Sequence, residues 1–325
     1  MSDKIIKNLL KNKKNIIENL NILCIGDIII DHDVHGRIDR DSPEAPIPIL
    51  LIENENYCLG GAGNVAKNIT SLGGKCTLLH LYDRCSSSNI ITQLIKNDKN
   101  INSVSIQVDG FKTPIKSRYK NKLKQIIRID NEDVQFKLDK KSKKLILTKL
   151  NNIINKFNLI VLSDYNKGFL DKDLIQKIIK VANKNNIKII ADPKKNDLSS
   201  YANINLITPN EKEITDASAK KYLNEKEIII FSKKMIKNNN IKNILVTRSE
   251  KGMLLINNKN TQKFYTSAKK VSDVTGAGDT VIGTLALMLA AGFNDSESAM
   301  ISNYAAGLVI SKFGTESISF KELIN

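Results

Sequence analysis

Asp273-Val274-Thr275-Gly276-Ala277-Gly278-Asp279-Thr280 runs straight into an apolar segment, Val281 to Ala291. Two glycines allow a tight turn and a close backbone approach to a ligand. The apolar run is long enough for a helix, whose first N–H groups lack intrahelical partners and would face that ligand as an anion site. A carboxylate in the first turn, Asp279, would sit beside the bound anion, an unfavourable place unless it has a chemical task. Accepting the proton of a hydroxyl that attacks a phosphoryl group is such a task, with the neighbouring N–H groups stabilising the charge that develops. The same residues also read as a Gly-rich turn ahead of a buried helix, so the remainder of the chain must decide.

Other polar clusters stand where apolar runs end. These are Ser163-Asp164-Tyr165-Asn166-Lys167-Gly168, Asp192-Pro193-Lys194, Thr208-Pro209-Asn210-Glu211 and Thr247-Arg248-Ser249. If the runs are parallel strands, their C-terminal ends converge on one crevice, the usual ligand position in an open α/β sheet. Asp27 and Asp31, around the end of the run Ile22 to Ile30, become candidates for sugar hydroxyls, although Asp31 could equally cap a turn. Lys116, Arg118 and Arg128 are an even number of residues apart in two strand-like runs. By alternation they share a face, either a solvated edge or a phosphate-binding surface.

The elements that would position these groups alternate. Ile22 to Ile30 reads as a buried first strand, and from Leu138 onward helices and strands follow one another, which predicts an α/β fold with a doubly wound, mostly parallel sheet. The stretch Arg40 to Pro48 holds three of the six prolines and cannot be helical, so it reads as a loop into an edge strand, Ile47 to Glu53, of a small separate sheet. Further strands are expected at Val104 to Val108, Thr113 to Arg118 and Leu123 to Asp130. A β-lid is expected from strands near residues 33–58 and 104–130. Gly61-x-Gly63-x-x-Ala66, with Asp83 downstream, fits a dinucleotide-binding fingerprint, but the polar stretch Glu53 to Tyr57 stands where that turn needs a buried strand. NAD binding through this turn is kept as an alternative.

Composition narrows the class. The chain has 325 residues, 41% hydrophobic, enough for a large core and without an apolar run long enough to span a bilayer. Met1 to Leu20 reads as a packed amphipathic helix rather than a signal peptide, which predicts a cytoplasmic protein. Four cysteines without CxxC spacing and three scattered histidines suggest neither disulfides nor a metal cluster. The net charge of +16 raises nucleic acid as a partner, but the lysines are dispersed and not interleaved with aromatics, so neither nucleic acid nor membrane is expected.

Gly60-Gly61 with Asn64, Asn210-x-x-Glu213 and Asp273-x-x-Gly276-Ala277-Gly278-Asp279 resemble the ribokinase-like (PfkB) carbohydrate kinases over essentially the whole chain. Ser42-Pro43-Glu44-Ala45-Pro46, Asp164-Tyr165-x-Lys167-Gly168, Asp192-Pro193-Lys194 and Val246 to Met253 are similar, within that family, to kinases that phosphorylate D-glycero-D-manno-heptose 7-phosphate at C1. Asn166 departs from the usual Asp-Tyr-Gly-Lys-Gly. Such kinases are often fused to an adenylyltransferase; ending at Asn325, just after Phe313-Gly314-Thr315, this chain is expected to be one kinase domain without it.

The resemblance implies Asp279 as base, with the backbone of Gly276, Ala277, Gly278 and Asp279 as anion hole. It implies ATP bordered by Thr247, Ser249, Gly252 and Asn303, with Mg²⁺ and its waters placed by Asn210 and Glu213; relatives often bind a monovalent cation such as K⁺ beside the anion hole, where Asp273 could serve it or equally be an ordinary turn carboxylate. Asp31, Gly60, Gly61 and Asn64, with Asp27, would hold the sugar. From charge at strand ends, Arg118, Lys167, Lys194 and Lys195 are candidates for the sugar's own phosphate. Relatives with such lids pair through them, so a homodimer is expected, feeding ADP-heptose synthesis for lipopolysaccharide core. Another sugar kinase of the same family is the alternative.

Overall fold

A computed structural model of the chain describes residues 2–122, 124–133, 135–195, 197–266, 273–312, 314 and 316–325. Leu123, which begins one expected strand, and Phe313 and Thr315 of the C-terminal segment lie outside the described residues.

Thirteen strands form two sheets among the described residues: β1 Asn21–Gly26, β2 Ile28–Asp41, β3 Pro48–Gly61, β4 Lys75–Tyr82, β5 Ile101–Gln107, β6 Ile115–Asn121, β7 Lys124–Asn131, β8 Leu159–Ser163, β9 Lys188–Asp192, β10 Leu206–Ile207, β11 Asn243–Thr247, β12 Met253–Ile256 and β13 Thr261–Phe264. The large sheet has the order β13-β12-β11-β10-β9-β8-β1-β4-β5, parallel from β5 through β11, with β12 and β13 antiparallel at one edge. Strand alternation sends Ile22 and Cys24 into one hydrophobic core and Leu23 and Ile25 into a second, so helices cover both faces. The expected doubly wound α/β architecture is therefore observed, and β8, β9, β10 and β11 end on the polar clusters identified from sequence.

The small sheet, ordered β3-β2-β6-β7, is the lid. Three expectations are corrected here. The run Ile22 to Ile30 is not one strand: β1 lies in the large sheet and β2 in the lid, and the chain changes sheets at Gly26-Asp27. A Cβ on Gly26 would lie 2.0 Å from the Ser163 carbonyl oxygen, so only glycine lets β1 leave beside β8 there. The 101–107 strand belongs to the large sheet, where it pairs with β4, and the lid's second hairpin begins only at Ile115. The N-terminal segment is likewise two short helices, Ser2–Leu10 and Lys14–Glu18, rather than one.

The glycine turn at Gly61 follows β3, an edge strand of the lid whose stretch from 51 to 56 is exposed, not a buried strand of a dinucleotide-binding unit. Asp83 accepts hydrogen bonds from Ser87, Ser88 and the backbone of Cys85 and Thr113, which anchor the following helix.

Candidate active site

The helix Ala277–Ala290 begins at Gly276, which has φ +78°, a left-handed conformation that a side chain would strain. Its interior is apolar, and Val281 through Leu289 are all buried, which anchors the helix between β-sheet and neighbouring helices and holds its first turn in place. Ala277 donates its N–H to the Val274 carbonyl. The Gly276, Gly278 and Asp279 N–H groups have no such partner among the described residues, so of the backbone expected to form an anion hole over residues 276–279 only the Ala277 N–H is already taken.

Asp279 is 5% exposed. Its Oδ1 accepts from the Tyr165 hydroxyl at 2.6 Å, and its Oδ2 accepts from Asn64 Nδ2 at 2.7 Å. Burial pushes its carboxyl up to about 6; these two hydrogen bonds and Lys194 oppose the rise, and the negative charge of Asp192 adds to it. Each carboxylate oxygen retains a further lone pair for an incoming proton. Asn64, expected on a sugar hydroxyl, thus directs its amide at Asp279. It is itself held by the helix Ala62–Ser71 and by Asn68, whose side chain donates to the Asn64 carbonyl and accepts from Thr280.

Tyr165 is not among the expected site residues; its signals in the sequence are its place after a strand end and in the motif Asp164-Tyr165-x-Lys167-Gly168. Burial, and then the charge of Asp279, raise its phenol well above the ordinary value, so it remains a protonated donor. Asp27 accounts for its position. The Asp27 carboxylate, expected among the hydroxyl binders, is engaged by the backbone N–H groups of Tyr165, Lys167 and Phe169, and orders the whole loop after β8. Burial, followed by the charge of Asp164, pushes Asp27 up to about 6.

Asp31 is buried and accepts from Arg118 Nη1 at 2.7 Å. The double glycine has a reason here. A Cβ on Gly60 would lie 2.3 Å from Asp31 Oδ2, and one on Gly61, which has φ +57°, 2.4 Å from the Asp27 carbonyl oxygen.

A cleft of about 530 Å³ opens beside Asp279. Lys194, Asn210 and Thr247 line it from the strand ends, Ser249 and Gly252 from the turn before β12, and Asn303 from the helix Asp295–Val309. The sequence reading of a nucleotide edge is thus gathered around one cavity with Gly276, Ala277 and Gly278. A Cβ on Gly252 would lie 1.9 Å from the Phe264 carbonyl oxygen, which ties that wall to β13.

Asn210 and Glu213 form a reciprocal capping box on the helix Glu211–Ala217, each side chain accepting from the other's backbone N–H at 2.8 Å. The second Glu213 oxygen meets Lys194 Nζ at 3.1 Å, and Asp192 holds the same ammonium at 2.9 Å. Burial disfavours the Lys194 charge, but the two carboxylates outweigh it and raise its pKa. Burial raises Glu213 as well, with Lys194 opposing.

The cations expected for a sugar phosphate are mostly paired already. Lys167 meets Glu132 at 2.7 Å, Lys195 meets the fully buried Asp164 and the Leu170 carbonyl, and Arg118 meets Asp31. Lys195 is better explained by the core than by a ligand, because removing it would strand a buried carboxylate. Asp273 accepts from the N–H groups of Thr275 and Gly314, which joins the Gly-rich turn to the segment after the last long helix.

A family model described as pfkB family carbohydrate kinase matches residues 19–322. Among curated proteins, the bifunctional protein HldE of Sulfurimonas denitrificans is 39% identical over 303 residues, 93% of this chain and 63% of that protein. HldE of Haemophilus influenzae is 38% identical over 94% of this chain and 63% of its own. The chain therefore spans less than two thirds of these relatives. Among solved structures, phosphofructokinase-2 from Escherichia coli superposes with a TM-score of 0.78 at 18% identity, covering 94% of this chain and 97% of the other. A ribokinase from Thermotoga maritima gives 0.71 at 21%, covering 94% and 98%. These likenesses show a shared fold.

Proposed function

Because the chain belongs to the pfkB family of carbohydrate kinases, and so is a phosphotransferase acting on a sugar hydroxyl, we propose that it transfers the γ-phosphoryl group of ATP to C1 of D-glycero-D-manno-heptose 7-phosphate, giving the 1,7-bisphosphate. The observation that carries phosphoryl transfer is the buried Asp279 carboxylate, held by Tyr165 and Asn64 at the first turn of a helix whose free N–H groups face the cleft. The choice of heptose rests on the motifs from Ser42 to Met253, and the relatives named bifunctional protein HldE support it.

In this reading the C1 hydroxyl of the sugar lies against Asp279, which accepts its proton as the oxygen attacks phosphorus. A base with a pKa of about 6 is ionised at neutral pH yet basic enough to accept a proton. The Gly278 and Asp279 N–H groups stabilise the transferring phosphoryl group. Tyr165 and Asn64 fix the rotamer of the base, and Asp31 with Arg118 bounds the sugar side. Asn303, Thr247, Ser249 and Gly252 border the adenosine side.

Mg²⁺ fits the donor set. Asn210, Glu213 and Asp192 offer oxygen atoms, the ligands a hard cation takes, and no cluster of three or more His, Cys, Asp or Glu that could hold a metal occurs among the described residues. Asn210 and Glu213 would therefore hold the ion together with ATP phosphates and water, and its charge would offset that of the β- and γ-phosphates. For K⁺, Asp273 is the candidate carboxylate; one solved phosphofructokinase-2 is a complex with potassium.

We further read the protein as a cytoplasmic homodimer; no helix among the described residues is long and apolar enough to cross a membrane. By register, Ile52 of β3 and Ile127 and Ile129 of β7 share the lid face opposite Asp31, and each is about half exposed, an apolar patch suited to a second lid. The product would supply ADP-heptose synthesis for lipopolysaccharide core. A panel of sugars and sugar phosphates incubated with ATP, with the phosphorylated carbon assigned by NMR, tests the whole reading. Turnover of a different sugar with none of the heptose phosphate would replace the substrate while keeping the chemistry.

A further inference from the structure

We propose that Lys116 is the residue that receives the anionic group of a phosphorylated sugar. The inference rests on the sugar-phosphate kinase reading of the site and adds to it a residue in contact with substrate.

The lid has two chemically distinct faces. Register aligns Asp31 with Lys116 and Asp33 with Arg118 across β2 and β6, and Lys116 with Asp130 and Arg118 with Arg128 across β6 and β7. These charges share one face. Most of them neutralise each other: Arg118 takes Asp31 at 2.7 Å, Lys120 takes Asp33 at 2.6 Å, and Arg128 takes Asp130 at 2.9 Å. Both acidic neighbours of Lys116 in the sheet, Asp31 and Asp130, are thus engaged by arginines.

The basic groups on the facing loops are also matched, Lys167 by Glu132, Lys194 by Asp192 and Glu213, and Lys195 by Asp164. Lys116 differs from all of these. Among the described residues no carboxylate lies within 4.0 Å of its ammonium, which stands over the Tyr165 ring with Nζ 5.8 Å from the centroid. It is only partly exposed, and burial, then the charge of Lys167, lowers its pKa, with the more distant charges of Asp31 and Asp130 opposing. A half-buried ammonium without an ion pair in contact is a costly arrangement, and an arriving anion would relieve it.

Its location suits the far end of the acceptor. Tyr165 donates to Asp279 from its hydroxyl and meets Lys116 with its ring, so one phenol separates the reacting hydroxyl from the unpaired cation. A sugar that presents one hydroxyl to Asp279 and carries a phosphate at its opposite end spans that separation. An unphosphorylated sugar would leave Lys116 unmatched, which makes the residue a determinant of selectivity.

Steady-state kinetics on the full chain with heptose 7-phosphate, unphosphorylated heptose and ATP test this, comparing wild type with Lys116→Met, Lys116→Gln and Lys116→Arg. A lost charge-assisted contact predicts a roughly 10–100-fold rise in KM for the sugar phosphate, little change in KM for ATP, and partial recovery in Lys116→Arg. The preference for phosphorylated over free heptose should fall by a similar factor. A KM within twofold of wild type in both neutral variants, or a rise confined to ATP, would overturn the assignment. If wild type phosphorylates no sugar phosphate, the kinase reading falls separately. Titration of inorganic phosphate, followed by thermal stabilisation, then decides the matter: stabilisation of wild type but not Lys116→Met supports the anion site, and equal or absent stabilisation in both rejects it.

Discussion

The Tyr165 hydroxyl donates to Asp279 Oδ1 at 2.6 Å, joining residues 114 positions apart at the centre of the cleft. Tyr165 is carried by a loop whose backbone N–H groups converge on Asp27, at the point where the chain passes from the large sheet to the lid. The carboxylate at the sheet switch therefore positions the residue that orients Asp279.

Asp279→Asn should remove turnover. Loss of a general base predicts a fall in kcat on the order of 10²–10⁴-fold, with KM for ATP nearly unchanged because the nucleotide wall is untouched. Measured kcat above a tenth of the wild-type value would remove Asp279 from the role of base.

The pH profile should have an acidic limb with a midpoint near 6, since the base acts ionised and burial raises it to about 6. Tyr165→Phe deletes a hydrogen bond that lowers the Asp279 pKa, so the limb should move to higher pH in that variant. An unmoved limb with reduced kcat would mean that Tyr165 contacts substrate but does not tune the base.

The same shift has a consequence for stability. The folded state binds the Asp279 proton more tightly than the unfolded state, whose value is near 3.8, so this group's favourable contribution is present below about pH 4 and is lost as pH rises to about 6. Chemical denaturation of wild type relative to Asp279→Asn should show wild type losing about 2–3 kcal/mol of relative stability across that window. A pH-independent difference would refute the raised carboxyl.

Gly60→Ala should impair sugar use more than nucleotide use. The new Cβ would lie 2.3 Å from Asp31 Oδ2, and Asp31 must turn away from Arg118 or the strand must shift. Overpacking of this kind costs about 1–3 kcal/mol, read as a lowered denaturation midpoint together with a raised KM for the sugar. Wild-type stability and KM would show that the lid accommodates the methyl group.

Ile52→Asp or Ile127→Asp should convert a dimer to monomer in sedimentation velocity, because a charge placed on the apolar lid face opposes its burial. Unchanged mass in both variants would move the interface elsewhere.

Much of the candidate site is legible in the amino-acid sequence alone. Gly276, Gly278 and Asp279 declare an anion-binding helix start because helix termini expose N–H groups wherever they occur, and the strand-end residues declare a crevice because parallel strands share a direction. These are local rules, and residue type with spacing is sufficient for them. Pairings across the fold were not legible. Asp27, Asn64 and Lys195 have the chemistry of ligand binders, yet their carboxylate, amide and ammonium are taken by a loop backbone, the base and a buried Asp164. Lys116, which alternation places on one face with Arg118 and Arg128, is set apart from them only by the ion pairs through which the two arginines hold its acidic neighbours. Hydrogen bonds and charge pairs are satisfied by proximity in space, so which polar groups remain free for a substrate is decided only when the two sheets and their loops are assembled.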